Sequence, residues 1–232
     1  MPQYSALSSI LPIDVAVAEQ MGTIDGTLFA EEKEALGRVV EKRRAEFAAG
    51  RTCARRALED LGVPCAAILP RPDRRPLWPL GTVGSITHCD GYCAAAAALS
   101  REYLSIGIDS EKNCPLPPEV VHSVVRDEEF EWIQTVRLSN VCWDRLLFSA
   151  KESVFKAWYP VAQSWLEFDE VHVTFDPDKK SFDAYILGLS PEMARLGFSC
   201  LRGRYVVYQG HIVTAIAIAM TPEHAGLGMS CN

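Results

Sequence analysis

Three short stretches hold side chains whose types and spacing fit phosphate or metal chemistry. In the run GIDSEKN, Asp109 and Glu111 stand two residues apart. In an extended segment such residues share a face, and two carboxylates side by side repel unless a cation or proton lies between them. Hard oxygen donors at a strand end suit Mg²⁺, which often shares its shell with substrate phosphates. In FSAKESVFKAW, residues 148–158, Glu152 and Lys156 are four apart and lie on one face of a helix, while Lys151 points about 100° away. In SITHCDG, His88 ends a β-branched run and Thr87 precedes it; a ring N–H and a hydroxyl there can donate to phosphate. Each stretch also has a plain structural reading: a solvated Asp-x-Glu, a surface Glu–Lys pair, a satisfied histidine.

A fourth feature is charge. Residues 38–56 carry seven basic and two acidic side chains, in a chain whose net charge is −7. A basic patch on an acidic protein fits a small anion better than a polyanion, and the net charge argues against nucleic-acid binding. On one continuous helix Arg44, Arg51 and Arg55 share a stripe, and Val40, Phe47, Ala54, Leu58 and Leu61 mark the buried side. Arginine's planar fork suits a nucleotide phosphate; a solvated helical face is the other reading. No GxxxxGK[ST], GxGxxG or GxSxG motif is present. Ser85, His88 and Asp90 are packed too closely along the chain to form a hydrolase relay.

The elements that must position these groups read as follows. Residues 31–48 are helical, Gly50 breaks or bends that helix, and a second helix runs from about 51 to 61, ended by Gly62 and Pro64. A Pro-rich basic loop spans 70–81. Strands are expected over 83–88, 93–99 and 104–109; the alanine run at 94–98 has helical propensity, but the Asp90-Gly91 turn favours a hairpin. Helices are expected over 127–137 and 142–158, with Pro160 ending the second. Alternation marks strands at 171–175 and 214–220, and Gln209-Gly210 reads as a hairpin turn. Helices mixed with antiparallel strands, without βαβ repetition, give an α+β fold.

The chain has 232 residues, 48% of them hydrophobic, enough for one large domain or two lobes. Eight cysteines without a CxxC pair, and no signal peptide, read as thiols in a reducing compartment. No segment is long and apolar enough for a membrane helix, so a cytoplasmic location is expected.

The GIDSE block followed some forty residues later by FSAKESVFKAW resembles the paired signatures of the 4′-phosphopantetheinyl transferases. The likeness is to the long monomeric kind that serves polyketide and nonribosomal peptide synthetases. RRAEFAAGRTCARRAL, Trp78-Pro79 and VGSITHCDGY are similar to that family's upstream blocks, in the style of its actinobacterial and enterobactin-type members. The resemblance covers roughly residues 38–166. It implies a pseudo-twofold pair of α/β lobes, residues 1–104 and 105–232, with the active site in the cleft between them. It implies Mg²⁺, with Mn²⁺ an alternative, on Asp109, Glu111 and Glu152. Lys156 and Lys151 match helix lysines, Lys156 being the nearer match to a coenzyme A diphosphate contact. Thr87 and His88 match a phosphate-binding pair, and Arg43 and Arg51 match positions at the 3′-phosphate. Where relatives carry a loop lysine, this chain has Pro70 and then Arg71; Arg71, or else Arg74 or Arg75, takes that role. The implied reaction moves phosphopantetheine from coenzyme A to a serine of an apo acyl or peptidyl carrier protein. Glu152 is the first candidate for the base, with Glu111 or a metal-bound water as alternatives. Two other readings use the same residues: a different Mg²⁺-dependent phosphotransferase or nucleotide hydrolase, and a non-catalytic coenzyme A-binding protein.

Overall fold

The computed structural model describes residues 5–136 and 140–226. The chain opens with strand β1 (Ala16–Met21), a short helix α1 (Ala30–Leu36) and a long helix α2 (Glu41–Asp60). A hairpin follows, β2 (Thr82–Cys89) and β3 (Tyr92–Leu99), and the three strands pair antiparallel in the order β1-β3-β2. The chain then enters β4 (Tyr103–Lys112), the short helices α3 (Pro118–Val124) and α4 (Asp127–Thr135), and the long helix α5 (Trp143–Ala162). Strands β5 (Val171–Asp176) and β6 (Ser181–Ile186), helix α6 (Pro191–Arg195) and the hairpin β7 (Cys200–Tyr208) and β8 (His211–Ala219) complete it. The second sheet is antiparallel in the order β4-β8-β7-β6-β5.

The two halves repeat one plan. Each runs strand, long helix, hairpin, and each places the last strand between the first and the penultimate: β1-β3-β2 in one, β4-β8-β7 in the other. The second half adds β5 and β6 at its edge. Strand β4 starts at Tyr103, so a division after residue 104 cuts into this strand.

Burial explains the layering. Alanines 94, 96 and 98 of β3 face Ile106 and Ile108 of β4 and Val213 and Ala215 of β8, a core shared by the two sheets. Cys93, Ala95 and Ala97 on the other face of β3 pack under α2, beside Ala54, Ala57 and Leu58. Small side chains let β3 be covered on both faces, and pairing with β1 and β2 overrides the run's helical propensity. Helix α5 covers the outer face of the second sheet through Leu146, Leu147, Val154 and Trp158.

Helix boundaries differ from expectation in two places. The first break falls at Gly37, which takes φ +63°, and α2 then runs unbroken through Gly50. A Cβ at Gly50 would stand 2.9 Å from Ile86 Cγ2, so the glycine lets α2 lie close on β2. Pro160 lies inside α5, which ends at Gln163 in the left-handed region, φ +49°. Arg137 of the helix expected over 127–137 lies outside the described residues. Seven cysteines are free thiols and the eighth, Cys231, lies outside the described residues. Among the described residues no helix is long and apolar enough to cross a membrane.

Candidate active site in the cleft between the lobes

Strands β2 and β4 run beside each other where the lobes meet. The Ser85 hydroxyl accepts the Ile108 N–H at 3.2 Å, and Thr87 Oγ1 lies 3.1 Å from Ser110 Oγ and donates to Asp109 Oδ1 at 3.4 Å. Alternation turns Ile108 toward the shared core and Asp109 toward α5. Helix α5 comes close because residue 107 is glycine: a Cβ there would lie 1.9 Å from the Ser153 carbonyl oxygen. That approach brings Lys156 Nζ to 2.7 Å from Asp109 Oδ1, where it also donates to the Ile108 carbonyl at 3.1 Å.

The three expected carboxylates are electrostatic neighbours. Burial pushes the Glu152 carboxyl up, and the Asp109 charge adds to the effect. Glu111 is raised by the same two causes in the same order. Their engagements differ. Asp109 pairs with Lys156 and Glu111 with Arg145, whose Nη1 donates at 2.9 Å; among the described residues Glu152 has no salt bridge. No three acidic, histidine or cysteine side chains among the described residues are gathered as a closed metal cluster. Asp109 Oδ2 is nevertheless buried without any hydrogen-bond partner among the described residues. A buried carboxylate oxygen in that state is costly, and a cation beside it removes the cost. That one oxygen suits a hard divalent ion, while Asp109, Glu111 and Glu152 are not gathered around a common point.

His88 stands at the end of β2, its Nε2 3.2 Å from Arg43 Nη1. An arginine only donates, so His88 Nε2 accepts and the proton sits on Nδ1. Burial lowers the His88 pKa, consistent with a neutral ring. Arg51 is buried, donates from Nε to the Ile68 carbonyl at 2.6 Å and lies over the Phe47 ring at 4.2 Å. Burial brings its pKa down to about 10.

Several expected groups go elsewhere. The Lys151 ammonium is 1% exposed and donates to Glu129 Oε2 and to the carbonyls of Val124 and Phe168, each at 2.8 Å. All three of its protons are used inside the C-terminal lobe, so it does not reach a ligand in the cleft. The arginine stripe is also divided. Arg55 Nη1 binds both oxygens of buried Glu32, at 2.7 and 2.8 Å, while Arg44 points outward beside Glu41. Arg75 is held by Asp73, its Nε and Nη2 donating to Oδ2 at 2.9 and 2.7 Å, which leaves it poorly placed to grip a phosphate. Arg71 lines the cleft.

Sequence reading missed Arg145, Glu129 and Asp73. Arg145 had a signal, since it precedes Glu152 by two helical turns on the same face. Glu129 had none, because its partner lies 22 residues away across a fold contact.

Beside this cluster lies a cavity of about 950 Å³ between the lobes, with Lys156 in its wall. Leu77, Trp78, Leu104, Phe155 and Tyr159 make much of its lining apolar. A polar, cation-ready end joined to an apolar slot is the layout for a ligand with a phosphorylated head and a neutral tail.

The chain belongs to the 4′-phosphopantetheinyl transferase family, and it is a transferase of phosphopantetheine. The family model for the 4′-phosphopantetheinyl transferase N-terminal domain matches residues 31–98, and that for the 4′-phosphopantetheinyl transferase superfamily matches residues 105–200. Among curated relatives, 4′-phosphopantetheinyl transferase Svp of Streptomyces mobaraensis is 46% identical over 194 residues, 83% of this chain and 79% of that protein. The enzyme Npt of Nocardia iowensis is 41% identical over 222 residues, covering 92% of this chain and all of the relative. PptT of Mycobacterium tuberculosis is 38% identical over 221 residues, 91% of this chain and 97% of that protein.

Proposed function

We propose that the enzyme takes phosphopantetheine from coenzyme A and places it on the serine hydroxyl of an apo acyl or peptidyl carrier protein, releasing adenosine 3′,5′-bisphosphate. The observation that carries this reading is the Asp109–Lys156 pair with Asp109 Oδ2 buried and without a partner. One carboxylate is thus tied to a phosphate-type lysine on one oxygen and open to a cation on the other. Asp109, Glu111 and Glu152 would hold Mg²⁺. When bound, the ion supplies positive charge against the diphosphate as negative charge grows on its oxygens.

The chain's own groups do the rest. Lys156 neutralises diphosphate charge, and Thr87 and the Nδ1–H of His88 offer donors nearby. Arg43, held against His88, and Arg51, eight residues further along the same helix, form the basic wall for the nucleotide's 3′-phosphate, with Arg71 across the cleft. The apolar cavity takes the neutral pantetheine arm and keeps water from the reacting phosphate. A proton must leave the carrier serine Oγ; Glu152, the carboxylate without a salt bridge, is the acceptor we assign. The lobes divide at the turn before β4, so the reacting centre is shared by residues 1–102 and 103–232.

Incubating an apo carrier protein with coenzyme A, Mg²⁺ and this enzyme should add one phosphopantetheine to the carrier, read by intact mass. Chelation of divalent ions, or Asp109→Asn, should cut the rate by about 100-fold or more, as for loss of a charge-stabilising group. If several carriers stay unmodified, coenzyme A-dependent transfer to a carrier is the wrong reaction.

A further inference from the structure

The loop between α2 and β2 crosses the cleft and touches the other lobe. It is closed on itself by Arg71 N donating to the Arg75 carbonyl at 2.7 Å and Leu77 N to the Leu69 carbonyl at 2.8 Å. Arg74 at its tip takes φ +70°, a left-handed conformation uncommon for a side chain of this kind. Within the loop Asp73 accepts from the Arg75 backbone N–H at 3.1 Å and from its guanidinium. The guanidinium plane is thereby fixed, and it lies 4.8 Å from the ring centroid of Tyr159, on α5 of the opposite lobe. Arg75, Trp78 and Tyr159 line the same cavity, whose wall includes neither Asp109 nor Glu111.

We propose that Asp73, Arg75 and Tyr159 form a strap that ties the N-terminal loop to α5 and closes the cavity over the ligand's neutral arm. Arg75 is a positioning residue. Its charge is balanced by Asp73, so its contact with Tyr159 serves to set the width of the slot. The inference rests on the reading that the pantetheine arm occupies this cavity. Cation–π contact at a partly exposed site changes an equilibrium by roughly twofold to fivefold. Opening the strap therefore weakens the arm's binding by about that factor and leaves the diphosphate end as it was.

The test compares two ligands and two steps. In Arg75→Leu, binding of coenzyme A should weaken about threefold while binding of adenosine 3′,5′-bisphosphate, which lacks the arm, stays at the wild-type value. KM for coenzyme A should rise by a similar factor with kcat retained. Tyr159→Leu should reproduce both effects, and the double variant Arg75→Leu/Tyr159→Leu should be no worse than either single one. Equal weakening of both ligands would show Arg75 acting on the nucleotide end and overturn the strap. Unchanged coenzyme A binding in a folded Arg75→Leu protein would overturn it too. Either result leaves phosphopantetheine transfer standing. Absence of transfer by the wild-type enzyme would instead remove the functional reading itself.

Discussion

At the scale of single residues, the site is a set of charges whose partners decide their roles. Lys156 and Lys151 sit five residues apart on one helix, yet one faces Asp109 in the cleft and the other is sealed against Glu129. Removing one member of a buried pair strands the other's charge. Lys151→Met should thus cost about 3–5 kcal/mol in urea unfolding with the cleft's charges left in place, whereas Lys156→Met leaves the buried Asp109 carboxylate without its cation and should abolish transfer. His88 gives a pH signature. Its folded pKa is lowered by burial, so the neutral ring is favoured. Its stabilising contribution is complete above the unfolded value of about 6.5 and is lost as pH falls through the lower folded value. His88→Ala should flatten that acid limb in unfolding curves taken between about pH 7.5 and pH 5. A variant with an unchanged limb would show that His88 is not held neutral. Much of this was legible from spacing. The i, i+4 relation of Glu152 and Lys156 placed them together, and the same 100° step already turned Lys151 away from them. Its buried partner was not legible, because a distant glutamate leaves no periodic trace.

At the scale of elements, alignment depends on how closely α5 lies on β4. Gly107 sets that distance, since a Cβ there would meet the Ser153 carbonyl at 1.9 Å and the Ala157 nitrogen at 2.7 Å. Both obstacles are backbone and cannot rotate aside. Gly107→Ala should therefore destabilise by about 3 kcal/mol or more, and it should lower transfer further than stability alone explains, because Lys156 rides on the displaced helix. Wild-type turnover in that variant would show that the helix position is not critical. The strands and the Gln209-Gly210 hairpin were readable because alternation and turn chemistry are local. Helix ends were less so. Gly50 looks like a breaker in sequence, but its missing side chain answers a contact with Ile86 that only the packed sheet reveals. Pro160 lies in the last turn of α5, where its missing N–H costs a single helical bond.

At the scale of the molecule, two halves with one strand-helix-hairpin plan place an edge strand of each sheet, β4 and β2, side by side at the cleft. Neither half holds the site alone: Arg43, Thr87 and His88 come from one, and Asp109, Glu111, Glu152 and Lys156 from the other. The α+β class was readable from element types, while the repeat was expected only through the family resemblance, because the two halves share a strand order without sharing a sequence pattern. The proposed reaction requires the three carboxylates to serve one ion. The most direct measurement is a crystal structure of the enzyme with coenzyme A and Mn²⁺, the ion located by its anomalous signal. The expected result is one ion touching Asp109, Glu111 and Glu152 and the ligand's diphosphate, with Glu111 released from Arg145. An ion bound away from Asp109, or a diphosphate held outside this cleft, would contradict it.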